Sequence, residues 1–183
     1  QIVFAAGLGW LLFKEIPEDK AMKKYIEDVR APFLKELTRE IATTDETLFR
    51  RGNFNGSWDQ IICDALVDVK DAEISLSPGF RWGTTLLPEQ PITIDDMYTQ
   101  TSMNYPAVYR TEMTGAQLKT MLEDVCDNLF NPDPYYQQGG DMVRVGGMSY
   151  ECAPKEVMGK RIQNMALTKT GAAIEADKNY VVG

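Results

Sequence analysis

The stretch that decides the fold is residues 112–147, "EMTGAQLKTMLEDVCDNLFNPDPYYQQGGDMVRVGG". Its first half predicts a helix. Thr114 and Gln117 stand at capping-box spacing. Leu118, Met121, Leu122, Val125 and Leu129 then recur on one helical face. The second half, 131–147, reads as neither helix nor plain turn. Tyr135 and Tyr136 offer flat apolar area with a hydroxyl handle. Gly139 and Gly140 permit unusual backbone angles or a close ligand approach. "MVRV" at 142–145 is a strand candidate. Two readings of 131–147 stand side by side: a proline-braced cover over the core, or a loop that lines a binding site.

Outward from that stretch, two more helices are predicted. One begins at "SWDQ", where Ser57 and Gln60 have capping-box spacing and Ile61, Ile62, Ala65, Leu66 and Val69 make an apolar stripe. The other follows Pro17, with Met22, Ile26, Val29, Phe33 and Leu37 at helical spacing. Pro32 interrupts that pattern, so a kink or break is expected there. "AEISLS" alternates, with Ile74 and Leu76 facing a core. "RIQNMAL" and the opening "QIVFAA" are further strand candidates. The order of elements implies an α+β fold, a mixed sheet with packed helices. Residues 1–45 are expected to form a strand, a turn and a linker helix, and residues 46–183 the main domain, with the chain cut at both ends. "QIVFAAGLGWLLF" is shorter than the roughly 20 residues of a membrane span.

Composition narrows the chemistry. The net charge of -8 argues against a nucleic-acid partner, which would call for a basic face. The sequence holds no histidine, which removes Ser–His–Asp, Cys–His and His-rich metal arrangements. The acidic pairs at 95–96 and 123–124 read as helix starts or solvated faces. Cys63, Cys126 and Cys152 are too few and too scattered for a disulfide framework, which favours buried, inert thiols. In "SLSPGFRWG", residues 75–83, an arginine follows a strand among glycines. Arg81 there suits a small oxyanion, or else a structural salt bridge in a tight turn.

"GNFNGSWDQIICDAL", "SPGFRWGTTLLP", residues 112–147 and "GKRI" together resemble the C-terminal domain of the SoxB thiosulfohydrolases, a branch of the 5′-nucleotidase family. The resemblance implies a two-domain periplasmic hydrolase. A dinuclear manganese centre would be held by an N-terminal metallophosphatase domain, with no catalytic or metal-ligating residue on the present chain. The substrate would be a cysteine S-thiosulfonate on the arm of the SoxYZ carrier protein, hydrolysed by metal-activated water to release sulfate. The chain alone would be inactive. Arg81 matches the arginine of the family's substrate-binding turn, beside Trp82. Tyr135, Tyr136, Gln137 and Asp141 would line the substrate channel. The nucleotidases of the family stack a base on an aromatic ring after the "GG". Here Asp141 and Met142 follow Gly139 and Gly140, which argues against a nucleotide. Two alternatives stay open: a nucleotidase-type phosphoesterase, and a non-enzymatic protein-binding domain.

Overall fold

The computed structural model of the protein describes residues 17–80, 83–101 and 107–183. The expected strand and turn at the N-terminus lie outside the described residues. The chain divides into two units, at Gln1–Arg39 and Glu40–Gly183.

In the first unit α1 spans Lys20–Arg30, a 3₁₀ turn spans Ala31–Phe33, and α2 spans Leu34–Leu37. Asp19 caps α1 by accepting the Met22 N–H at 2.9 Å. The break falls at Pro32, as expected, because proline lacks the amide that would continue the α-helical ladder. Met22, Ile26, Val29 and Phe33 are exposed.

The second unit holds eight strands among the described residues. They are β1 (Glu40–Thr43), β2 (Ser75–Ser77), β3 (Pro91–Thr93), β4 (Thr111–Thr114), β5 (Arg144–Gly146), β6 (Met148–Cys152), β7 (Ile162–Leu167) and β8 (Asn179–Val182). Its helices are α3 (Ser57–Lys70), α4 (Ile94–Thr101) and α5 (Gly115–Phe130). β2 pairs antiparallel with β5, and β4 antiparallel with β8. Between these pairs the chain runs parallel: Ile74 bridges Val182, and Leu76 donates to the Gly183 carbonyl at 3.0 Å. The order β5–β2–β8–β4 is therefore a small mixed sheet, and the fold is α+β. β6 pairs with β7, and β1 with β3.

α5 forms as the sequence predicts. The Thr114 hydroxyl accepts the Gln117 N–H at 3.2 Å, and Gln117 Oε1 accepts the Thr114 N–H at 2.8 Å. This reciprocal pair satisfies amides that the first helical turn leaves open. Leu118 and Leu122 are fully buried, and they pack with Ile74, Met142, Val145, Met148, Ile162, Tyr180 and Val182 into the main core. Met121, Val125, Leu129 and Leu76 flank it half-buried. Each fully buried aliphatic side chain contributes about 1.5–3 kcal/mol of transfer free energy. A second, smaller core joins Leu48, Trp58, Leu86 and Ile92.

Four expectations need correction. The N-cap of α3 is Gly56, one residue before Ser57. Asp59 at the third helical position accepts the Gly56 N–H at 2.9 Å, so its carboxylate takes the role expected of Gln60. The Ser57 hydroxyl instead accepts the Phe49 N–H and donates to the Thr47 carbonyl. The buried face of α3 is Trp58, Asp59 and Cys63, while Ile61 and Val69 are exposed. Of the acidic pair at 123–124, Asp124 is exposed as expected, but Glu123 is buried. Its carboxylate accepts the Gly159 N–H at 2.8 Å and the Ile162 N–H at 2.7 Å. Two orphan amides thus recruit one charge into the core, since a buried charge must be well hydrogen-bonded. Lastly, two of the cysteines are not scattered in space: Cys126 Sγ lies 3.1 Å from Cys152 Sγ.

Candidate functional site

The segment "RRGNFNGSWD", residues 50–59, builds the frame on which the two noted loops rest. Asp59 is fully buried and is shared by two buried guanidinium groups. Arg50 Nε donates to Asp59 Oδ1 at 2.8 Å, and Arg144 Nε lies 3.2 Å from Asp59 Oδ2. Arg144 Nη2 also approaches Asp141 Oδ2 at 3.3 Å and donates to the Gly52 carbonyl at 2.9 Å. Among the described residues, two arginines and two aspartates thus meet here. Pairing matters because an uncompensated charge at such depth costs several kcal/mol.

This frame grips the described residues on both sides of positions 81 and 82. Arg50 Nη2 reaches the Pro78 carbonyl at 3.5 Å, and the guanidinium lies 5.6 Å from the centre of the Phe80 ring. Arg144 Nη2 reaches the Phe80 carbonyl at 3.4 Å. On the far side Arg50 Nη1 donates to the Gln100 carbonyl at the end of α4, and Gln100 Nε2 donates to the Thr84 carbonyl at 2.8 Å. Gly83 has φ +104° and abuts the Gln100 side chain. Arg81 and Trp82 themselves lie outside the described residues.

The two loops meet. A Cβ at Gly79 would sit 2.5 Å from the Met142 carbonyl oxygen and 2.8 Å from Asp141 Cβ. Only glycine allows that approach. Ser77 is in register with Arg144 across β2 and β5. The Met142 N–H donates to the Asn53 carbonyl at 2.9 Å. The Asn55 side-chain amide donates to the Val145 carbonyl and accepts the Val145 N–H, completing the other edge of β5 as a strand would.

The start of the 131–147 loop is organised by its own side chains. Asn131 Oδ1 accepts the Asp133 N–H at 2.9 Å, and Asp133 Oδ1 accepts the Tyr135 N–H at 3.0 Å. These are successive Asx turns. Gln137 Nε2 donates back to the Asn131 carbonyl at 2.7 Å, and the Gly139 N–H donates to the Asn128 carbonyl. Asn131 Nδ2 donates to Asp127, which also receives Arg161 Nη1. The hydrogen bonds from Arg161 and Asn131 hold the Asp127 carboxyl below its ordinary range.

Of the residues read from sequence, Tyr135 and Tyr136 project outward, at 94% and 65% exposure. Gln137 is exposed, with its amide turned back on the loop. Asp141 has a buried side chain tied to Arg144, and Met142 is fully buried. A shallow groove beside α5 is lined by Gln117, Thr120, Met121, Asp124 and Met158, and by none of these loop residues. Among the described residues no group of three or more His, Cys, Asp or Glu side chains could hold a metal ion. The described residues do not fit a metal centre. No described helix is long and apolar enough to cross a membrane.

Reading the sequence missed Arg50, Asp59 and Arg144. The available signal was "GNFNG" followed by an acid three residues after its second glycine, a capping spacing with glycine in the cap position.

Residues 40–183 match the family model of the 5′-nucleotidase C-terminal domain. Among solved structures, the sulfate thiohydrolase SoxB of Thermus thermophilus, in complex with glycerol, is 33% identical with a TM-score of 0.85, covering 93% of this chain and 31% of that one. A 5′-nucleotidase precursor, also from Thermus thermophilus, aligns at 16% identity and TM-score 0.72, covering 92% of this chain and 34% of that one. The NAD nucleotidase of Haemophilus influenzae aligns at 20% and 0.64, covering 90% and 31%. The likeness to the two nucleotidases is one of fold. The chain spans about a third of the length of these proteins. A search of curated proteins finds no match.

Proposed function

The chain belongs to the 5′-nucleotidase C-terminal-domain family, and on that footing we propose that it is the substrate-contacting domain of a periplasmic thiosulfohydrolase. Its substrate would be a cysteine S-thiosulfonate on the swinging arm of a SoxYZ-type carrier, and its product sulfate. The dinuclear manganese centre and the base would belong to the family's metallophosphatase domain, not to this chain. The present residues hold and shape. Arg81 would clasp the sulfonate oxygens, for a planar guanidinium fork matches a tetrahedral oxyanion. Trp82, Tyr135, Tyr136 and Gln137 would border the slot for the arm. Asp141, tied to Arg144, would set the position of the loop behind them.

One observation carries the choice over a nucleotide. After Gly139 and Gly140 the chain dives inward: Met142 is fully buried and the Asp141 side chain is engaged at depth. No ring follows the glycines to stack on a base. The exposed rings, Tyr135 and Tyr136, precede them, where they can flank a peptide.

The test is turnover of carrier-linked S-thiosulfonate by the full-length enzyme, with melting curves as the folding control. A charge-assisted hydrogen bond contributes about 1.5–3 kcal/mol. Arg81→Lys keeps the charge but loses the fork, so activity should fall roughly ten- to a hundredfold. Arg81→Ala should cost more. Unchanged turnover in Arg81→Ala would assign Arg81 to a structural salt bridge. Efficient hydrolysis of 5′-nucleotides, with none of the carrier-linked substrate, would favour the phosphoesterase reading.

A further inference from the structure

We propose that Cys126 and Cys152 are a redox pair that closes into an intramolecular disulfide across the base of the 131–147 loop. Cys126 continues the buried ridge of α5, two turns beyond Leu118 and one beyond Leu122. Cys152 ends β6, in register with Ile162 of β7. Both thiols are therefore held by regular structure. Their sulfurs are 3.1 Å apart, closer than the roughly 3.5–4.0 Å of ordinary carbon contacts. A disulfide needs about 2.05 Å between sulfurs, an approach of roughly 1 Å that side-chain rotation can supply.

The pair is asymmetric in access. Cys126 is fully buried, whereas Cys152 is half-buried. Burial and the neighbouring thiol push the Cys126 thiol up to about 12. Oxidation therefore begins at Cys152. Its thiolate attacks one sulfur of a small-molecule disulfide, forming a mixed disulfide and expelling one thiolate. Cys126 then loses its proton and attacks the Cys152 sulfur, expelling the second. The protein gives up two electrons and two protons, and the oxidant becomes two thiols. The new ring spans 26 positions and contains Tyr135, Tyr136, Gly139 and Arg144. Cys63 is an internal control. It is buried in α3 with its thiol pushed up to about 11 by burial, and neither other cysteine contacts it in the structure.

The experiment incubates the purified chain with oxidised glutathione, then unfolds it and alkylates every free thiol. Peptide mapping is expected to show a linked Cys126–Cys152 peptide, Cys63 as the sole alkylated cysteine, and an intact mass lower by two hydrogens before alkylation. The oxidised form should melt roughly 5–15 °C above the reduced form. Dithiothreitol should reverse both changes. Cys63→Ser should keep this redox dependence and Cys152→Ser should lose it. Alkylation of all three cysteines after exhaustive oxidation would overturn the proposal. So would a glutathione adduct that persists on Cys152 beside an alkylated Cys126. None of these readouts involves turnover, so the result stands apart from the proposed function.

Discussion

The 78–83 turn and the 131–140 segment adjoin the same ground and are held by opposite means. The turn is gripped from beneath by buried charge, with Arg50 and Arg144 reaching the Pro78 and Phe80 carbonyls. The segment is held at the surface by Asx turns between its own residues. The difference teaches where each can tolerate change. A frame of paired charges cannot lose one member without stranding another. A ladder of exposed local hydrogen bonds loses them one at a time, with water as substitute. The backbone at Pro78 and Phe80 is thus built for fixed placement, and the segment for adjustable contact.

The largest expected effect tests the frame. In Asp59→Asn the shape is kept and the charge removed. Its carbonyl can still accept Arg50 Nε, but its amide then faces Arg144 Nε and the Gly56 N–H, three donors with no acceptor. Among the described residues, Asp141 is then the remaining carboxylate beside Arg144, and Arg50 loses its charged partner. Breaking a buried pair in this way costs about 3–5 kcal/mol, a fall in melting temperature of roughly 6–20 °C for a chain of this size. Differential scanning calorimetry measures it. A change under about 1 kcal/mol would mean that the frame exchanges freely with water, and the contrast with the surface segment would fail.

Gly79→Ala should have the next largest effect, and it acts at the seam. Its Cβ would meet the Met142 carbonyl oxygen at 2.5 Å and Asp141 Cβ at 2.8 Å, both held by β5 and the frame. Backbone must move, at a cost of about 1–3 kcal/mol. In the full-length enzyme the two loops would separate, and turnover should fall more than the stability loss explains. A variant that melts lower but keeps full turnover would show that the seam is structural only.

The parts of this architecture were unequally legible in the sequence. α5 was readable because its cap and its stripe lie within a few residues of each other. The break at Pro32 was readable because it follows from one residue's covalent structure. The buried face of α3 was misread because a carboxylate lies on it. Asp59 counts as surface in any hydrophobic pattern, and its burial is offset by Arg50 and by Arg144, the latter far along the chain. Glu123 misleads for the same reason, since its partners are amides at Gly159 and Ile162. The contact between Cys126 and Cys152 depends on where the end of β6 meets α5, which no local spacing encodes. The two loops could be singled out, and "GNFNGSWD" stood out as a motif, but the way Arg50 and Asp59 join the loops was not legible, because that work is done by backbone carbonyls and buried ions.

The smallest expected effect on stability falls on the surface segment, and it sharpens the comparison most. Tyr135 and Tyr136 are exposed at 94% and 65%, so replacing both with alanine removes little buried area. Stability should stay within about 0.5 kcal/mol per site, a melting shift of no more than roughly 2–4 °C for the pair. If these rings flank the carrier arm, their loss appears only when the arm is present. KM for carrier-linked substrate should rise roughly five- to thirtyfold, the effect of losing about 1–2 kcal/mol of contact. Hydrolysis of a free, low-molecular-weight S-sulfonate should change little, because that substrate has no arm to hold. Equal losses on both substrates would place the tyrosines at the reacting group rather than along the arm. No loss on either would make 131–137 a brace for the α5 end, and the slot would then have to be lined from elsewhere.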